Sequence, residues 1–317
     1  MQEFVFGPVP SRRLGFSLGV DIIPRKYCSF DCIYCQVGKT TQKEVERRSF
    51  ADPDVIVRQV VEKVEEGGRI DFISLSGSGE PTLSADIGEI VRALRRKTSI
   101  PLAVITNGSL LFREDVREEI AAADVVLPSL DATGDAVFEK INRPHPALSF
   151  TQLVNGLKAF RREYKGNIWL EIMLIKGIND GTADMEIFKQ IVSGLSADKV
   201  QLNTVARPPL EEAARGIDGA ELLSFAHVIG KGCEIIPAFE RQTQAHIAEQ
   251  WRESVLATLK RRSLSLDDIV RTTGVSRVEA SAGLDSLIKE GEIRLVQFND
   301  ERFYVVKGEE DPSFSFP

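Results

Sequence analysis

Three of the four cysteines of this chain fall within eight residues. Cys28, Cys32 and Cys35 lie in YCSFDCIYCQ with the spacing C-x3-C-x2-C. Thiolates are soft ligands that suit zinc and iron–sulfur centres. Structural zinc takes four ligands, usually as two separated pairs, and a ferredoxin run adds a fourth local cysteine. The remaining thiol and imidazole donors, Cys233, His145, His227 and His246, are all distant in sequence. The residues therefore leave three readings: unrelated buried cysteines, a zinc site completed from afar, or a three-cysteine cluster with one open metal position. The third fits the local ligand count. Cys233 opens an apolar stretch and reads as a core cysteine.

Other polar groups stand where predicted strands end. SGSGEPTL (76–83) contains Gly79, Glu80 and Pro81; glycine there permits close backbone approach, and an ordinary turn explains the segment equally well. ITNGSLL (105–111) supplies Thr106 and Asn107 next to a common turn pair. LPSLDA (127–132) supplies Ser129 and Asp131. WLEIMLIKGIND (169–180) places Glu171 among apolar residues, where a buried carboxylate needs partners. Arg12, Arg13, Lys26, Arg143, His145 and Arg207 fall in predicted loops. Basic loops in an acidic protein favour an anionic substrate, although scattered surface charge explains any one of them.

The elements that must position these groups alternate. Predicted strands at 17–23, 70–76, 101–106, 124–130, 168–175, 199–205 and 233–238 are separated by amphipathic stretches such as 53–68, 84–97 and 149–164. Pro53 near the start of one stretch and glycines at its end give the expected helix asymmetry, and Ser84 is a candidate cap for the second. This alternation predicts an α/β fold with a parallel sheet, a partial or full (β/α) TIM-like barrel with function at the strand C-terminal ends. After residue 250 the pattern changes. Helices at 251–262, 265–274 and 276–291, two of them with Ser265 and Ser276 as caps, precede strands in EIRLVQF and RFYVVK, which predicts a winged helix-turn-helix. The expected layout is a barrel over 1–237, a linker or helix start at 238–250, the winged helix at 251–308 and a flexible tail at 309–317.

With 317 residues, 43% hydrophobic and 27% charged, the chain is an ordinary globular one. A net charge of −7 argues against a protein that coats nucleic acid. The segment 251–308 carries ten basic and nine acidic residues, and its third helix two basic and three acidic. Phosphate backbones need net positive charge, so DNA binding through that helix is disfavoured. A tRNA contact through KRR (260–262) or a protein partner for the module stays open. No run reaches membrane-spanning length, the opening segment does not read as a signal peptide, and clustered thiols outside a disulfide framework point to the cytoplasm.

The sequence CSFDCIYCQ resembles the cluster loop of the radical S-adenosylmethionine (SAM) superfamily, including the aromatic Tyr34 before the last cysteine. The resemblance implies an enzyme, with a [4Fe–4S] cluster on Cys28, Cys32 and Cys35 and SAM on the open iron. Reductive cleavage of SAM would then give a 5′-deoxyadenosyl radical that abstracts hydrogen from a substrate, with flavodoxin or ferredoxin as electron donor. It also implies SAM contacts from the Gly79-Glu80-Pro81 segment, from Thr106 and Asn107, from Ser129 and Asp131, and from Glu171. Residues around Arg143 are similar to the molybdenum-cofactor cyclase branch. The opening FGPVPSRRLGFSLGVDIIPRKYCSFDCIYCQVGKT resembles stand-alone iron–sulfur oxidoreductases related to wybutosine-synthesis enzymes of tRNA. Unlike those enzymes, this chain has Gln36 after the last cysteine and no additional N-terminal cysteines.

Overall fold

The computed structural model describes residues 3–236, 251–299 and 301–307. The predicted segments 238–250 and 309–317, and His246, lie outside the described residues. Among those described, no helix is long and apolar enough to cross a membrane.

The chain opens with strands β1 (Val5–Ser11) and β2 (Gly15–Val20), followed by short strands β3 (Tyr27–Cys28) and β4 (Gln42–Lys43). Helix α1 (Pro53–Glu65) follows, then β5 (Phe72–Leu75), a 3-10 turn (Pro81–Leu83), α2 (Ile87–Lys97), β6 (Leu102–Thr106), α3 (Glu114–Ile120), β7 (Val125–Pro128), α4 (Asp135–Ile141) and α5 (Phe150–Glu163). The series continues through β8 (Asn167–Leu174), α6 (Thr182–Leu195), β9 (Lys199–Thr204), α7 (Gly219–Ile229) and β10 (Cys233–Ile235). Eight of these strands form one sheet in the order β1-β2-β5-β6-β7-β8-β9-β10, and β3 pairs with β4 apart from it. Every pairing except β1 with β2 is parallel. The first and last strands are not neighbours, so the sheet is a barrel left open between β1 and β10.

All seven expected strands of this series are present. The antiparallel β1 was not expected, because the two prolines in VFGPVPS disguise a strand; as an edge strand it can spare those N–H groups. Helix α1 starts as predicted, with Pro53 in its first turn and the Asp52 side chain accepting from Asp54 N. Ser84 does not cap α2: it accepts from the N of Asp86, the residue just before the helix. Ser149 and Gln152 form a reciprocal capping box on α5.

The strands are nearly continuous apolar runs because both faces are covered. Outward residues such as Ile73, Leu75, Val104, Val126, Leu170 and Leu202 pack against the helices in the main core. Inward residues Ala103, Val125, Leu127 and Trp169 meet Leu14 and close the lower end of the barrel. Above that plug the inward positions turn polar: Ser17, Ser74, Glu171 and Asn203 are all buried.

The C-terminal residues form a second core. Helix α8 (Trp251–Leu259), β11 (Leu264–Ser265), α9 (Leu266–Thr273), α10 (Arg277–Lys289), β12 (Ile293–Phe298) and β13 (Glu301–Val306) surround Val255, Ile269, Leu284 and Ile293. Capping boxes at Ser265 and Ser276 and a left-handed Gly274 set the helix ends as expected. Strand β11 adds a third strand, in the order β11-β13-β12. Both α8 and α9 pack on β1, and Arg207, beyond β9, pairs with Asp268 of α9 at 3.1 Å. The module thus sits across the open side of the barrel.

Candidate active site

The three cysteines lie on one loop leaving β3, and all are half-buried. The loop is held from both sides. Lys26 N donates to Ser78 O at 2.8 Å, and Lys26 adopts a left-handed φ of 60°, which costs a non-glycine residue about 1–2 kcal/mol. That turn aims its buried ammonium at the Cys35 sulfur, 3.3 Å away. Asn107 Nδ2, at the end of β6, donates to Ser29 Oγ at 2.8 Å and approaches the Cys28 sulfur at 3.7 Å. Asn142 Nδ2, after α4, approaches the Cys32 sulfur at 3.5 Å. Each sulfur therefore has one N–H donor from a different element.

This donor set fits an iron–sulfur cluster. Hydrogen bonds to cluster sulfurs stabilise negative charge and tune potential. Burial in the free protein, reinforced by Glu80, pushes the Cys28 thiol up to about 12, and burial raises Cys32 as well; metal binding is what makes thiolates favourable here. Among the described residues no three His, Cys, Asp or Glu side chains converge as ligands of one ion. A cubane does not ask for convergence, because its three thiolates bind three separate irons.

Beside the cysteines the GEP loop packs with little clearance. A Cβ on Gly79 would lie 2.0 Å from Tyr27 O. A Cβ on Gly77, at φ 155°, would meet the Asp21 carboxylate at 2.3 Å. Asp21 accepts from Ser78 N at 3.1 Å, from Ser78 Oγ at 2.6 Å and from Arg261 Nε of the C-terminal module at 2.9 Å. Pro81 opens the 3-10 turn and is buried.

Glu80, in the segment expected to contact SAM, is enclosed by the protein. It is 2% exposed. Its Oε1 accepts from Thr82 N (3.1 Å), Thr82 Oγ1 (2.6 Å) and Thr106 Oγ1 (2.6 Å), and its Oε2 from Asn107 N (2.7 Å). Burial raises its carboxyl while these donors pull it down. Glu80 ties the ends of β5 and β6 together, and Thr106 is spent on the same tie. Asp131 is likewise enclosed. It accepts from Tyr34 OH at 2.5 Å, Asn142 Nδ2 at 3.0 Å and Met173 N at 3.0 Å, and burial raises it to about 6. Tyr34 and Asp131 thereby brace Asn142 under Cys32. Neither Asn142 nor Asp21 stood out in the sequence, since a lone Asn or Asp beside a loop carries no spacing signal.

Glu171 points into the barrel. It accepts from Asn203 Nδ2 at 2.8 Å and is ion-paired with Arg13. The other basic candidates are dispersed. Arg143 pairs with Glu211. The His145 backbone N donates to Ser29 O of the cysteine loop, and its Nδ1 accepts from Ala147 N. Arg207 is buried in the docking contact with Ser263 O and Asp268. None of these three side chains is the donor at a cysteine sulfur. Cys233 sits in β10 beside Val200 and packs against the main core, with its thiol raised to about 11 by burial.

One cavity of about 320 Å³ joins the pieces. It is lined by Cys28 and Cys32, by Gly77, Gly79 and Glu80, by Thr106, Asn107 and Ser129, and deeper down by Arg13, Ser17 and Ser74. Arg261 and Arg262 also line it. The KRR segment therefore turns two of its three cations inward, leaving only Lys260 exposed.

The radical SAM superfamily model matches residues 22–187. A protein of Methanocaldococcus jannaschii named UPF0026 protein MJ1312 is 34% identical over 307 residues, 95% of each chain. A protein of Brachyspira hyodysenteriae named GTPase Obg is also 34% identical, over 95% of this chain but 45% of that one. The solved structure described as native anSMEcpe with bound AdoMet shares the fold, with a TM-score of 0.51 at 15% identity over 67% of this chain and 58% of that one. The chain belongs to the radical SAM superfamily, enzymes that use a [4Fe–4S] cluster and SAM, and it groups there with the UPF0026 proteins.

Proposed function

We propose that Cys28, Cys32 and Cys35 hold the [4Fe–4S] cluster and that SAM occupies the cysteine end of the cavity, above an anionic substrate bound deeper in the barrel. The observation that carries this reading is the N–H donor placed at each of the three sulfurs. Held by these cysteines and reduced by an external one-electron donor, a [4Fe–4S] cluster would supply the electron for reductive cleavage of SAM to methionine and a 5′-deoxyadenosyl radical able to take hydrogen from the substrate. The chain's own residues position and enclose. The backbone of Gly77–Gly79 offers carbonyls to the SAM ammonium, because glycine leaves that edge bare. Asn107 and Ser129 line the wall where the nucleoside would lie. Glu80, Thr106 and Asp131 hold those segments in register, so they act as positioning residues. Glu171, joined to Arg13 and Asn203, separates the SAM end from the floor and offers its carboxylate to a hydroxyl of either ligand.

We read the C-terminal module as a winged helix, with β12 and β13 as the wing, and the domain division as 1–237 and 251–308. Its place across the barrel's open side and its inward Arg261 and Arg262 support a role in closing the active site. The experiment is anaerobic reconstitution of the full chain with iron and sulfide, then dithionite and SAM. Formation of 5′-deoxyadenosine by the wild type and its loss in Cys32→Ala is the expected result. A wild type carrying a cluster yet releasing no 5′-deoxyadenosine would refute the reading.

A further inference from the structure

Charge is unevenly distributed along the cavity. Where α8 ends, the chain turns Arg261 and Arg262 toward the barrel. Arg261 is accounted for by Asp21 and by the Phe6 ring beneath it, 4.5 Å to the centroid. Arg262 is not. Its two terminal nitrogens both reach a single acceptor, Pro10 O, at 3.4 and 3.3 Å. Its Nε is enclosed with no partner. A buried donor left unmatched is costly, and a buried guanidinium without a counter-charge more so.

Arg12 adjoins it and makes no hydrogen bond or ion pair with the described residues. Around these two stand Arg13, Arg207 and Arg271, against two carboxylates, Glu171 and Asp268. Both carboxylates are engaged, Glu171 by Arg13 and Asp268 by Arg207 and Arg271. Burial, then neighbouring arginines, lowers Arg12 to about 10 and Arg262 to about 9. Among the described residues, Arg12 and Arg262 thus have no carboxylate paired to them. The planar forks of arginine suit the tetrahedral oxygens of a phosphate. The cavity of about 320 Å³ is of small-ligand size, and Arg261 and Arg262 of the C-terminal module form part of its wall.

We infer that Arg12 and Arg262 form a phosphate subsite for a small phosphorylated substrate, so that the C-terminal module supplies part of the active site. This rests on the function proposed above and names the class of its anionic substrate. The phosphate docks between the two guanidiniums and meets the orphaned Nε. The rest of the substrate extends along Arg13, Ser17 and Ser74 toward the cysteine end. The module then has to be seated for substrate to be held.

The test uses the full chain, reconstituted with its cluster and loaded with SAM, titrated calorimetrically with inorganic pyrophosphate. Acetate at matched ionic strength controls for a plain carboxylate, and a short single-stranded RNA for a polynucleotide. Pyrophosphate is expected to bind saturably at one site, and Arg262→Gln and Arg12→Gln each to weaken it about tenfold or more. Thermal unfolding checks that each variant folds. Arg12 makes no hydrogen bond or ion pair with the described residues, so Arg12→Gln decides the matter if Arg262→Gln fails to fold. Three results would overturn the inference: pyrophosphate binding no better than acetate, unchanged binding in a folded variant, or RNA binding more tightly than pyrophosphate and lost in the same variants. Formation of 5′-deoxyadenosine from SAM, measured on the same wild-type preparation, tells failure of this inference from failure of the radical SAM reading.

Discussion

The two ends of the cavity are built on opposite terms. At the cysteine end nearly every polar group is matched within the protein. Glu80 takes four donors, Asp131 three, and each thiol has its own N–H. At the arginine end the Nε of Arg262 is left over, beside Arg12, which is half-buried and makes no hydrogen bond with the described residues. A buried network that satisfies itself rigidifies what it surrounds. A buried charge that does not is held in reserve for something absent from the chain. The first end is made to hold a bound group in fixed geometry, the second to receive a variable one.

The largest expected effect breaks the first end. Cys32→Ala removes a ligand, and 5′-deoxyadenosine formation should fall by more than the ~10–100-fold that changes to outer-shell partners cost. The protein should stay folded, because Cys32 is only half-buried at the edge of the core. Anaerobic cluster absorbance and product analysis check both parts. Retention of both cluster and activity would mean that the loop is not the metal site.

The next effect joins the two ends. Arg261 and Asp21 have side chains only 10% and 6% exposed, and Asp21 also fixes Ser78 in the GEP loop. Asp21→Ala leaves Arg261 uncompensated and frees that loop. Breaking a buried pair by removing one partner costs roughly 3–5 kcal/mol, so the unfolding midpoint should drop and the KM for SAM rise together. A midpoint unchanged from wild type would show that the module is not seated through this contact.

The two ends also differ in how much of them the sequence discloses. The cysteine end is local: C-x3-C-x2-C, SGSGEP and TNG each sit within a few residues, so spacing alone marks them. The seven strands were equally legible, because both-face burial writes them as apolar runs. The arginine end draws on residues 12, 13, 207 and 262, and only folding brings these together. In the sequence, KRR is a possible tRNA contact and Arg207 a loop cation open to substrate, yet the structure turns Arg262 inward and uses Arg207 as a docking pin. The hydrogen bonds that Glu80 and Asp131 accept within the protein carry no signal in the sequence for a related reason. A motif tells which residues stand near a ligand, while burial and hydrogen-bond count tell whether the side chain faces the ligand or braces the backbone that does.

Glu80→Gln sharpens that last distinction. The change keeps size and shape but exchanges an oxygen for an amide nitrogen, so one of the four donors is left facing another donor. An unmatched buried donor costs about 1–3 kcal/mol. With Glu80 as a tie, stability falls by that amount and the KM for SAM rises only as far as the loop loosens, and Thr106→Val should reproduce part of both effects by removing one of the same bonds. With Glu80 as a direct contact to the SAM ammonium, the KM rises steeply while stability stays put and Thr106→Val does little.

The smallest expected effect probes the N–H donors themselves. Asn142→Leu removes the donor to the Cys32 sulfur together with one donor to Asp131. A weak N–H to sulfur bond favours the more negative, reduced cluster, so its loss should lower the reduction potential. If the bond is worth about 0.5–1 kcal/mol, the one-electron shift is about 20–40 mV. Anaerobic redox titration followed by electron paramagnetic resonance resolves a change of that size. A Tyr34→Phe variant bears on the second consequence, because it loosens Asp131 while keeping the Asn142 Nδ2 donor in the chain. If Asn142→Leu lowers the potential and Tyr34→Phe does not, the donor acts on the sulfur directly. Equal shifts in both would assign the effect to Asp131, and the side chains around the three thiols would then serve only as scaffold.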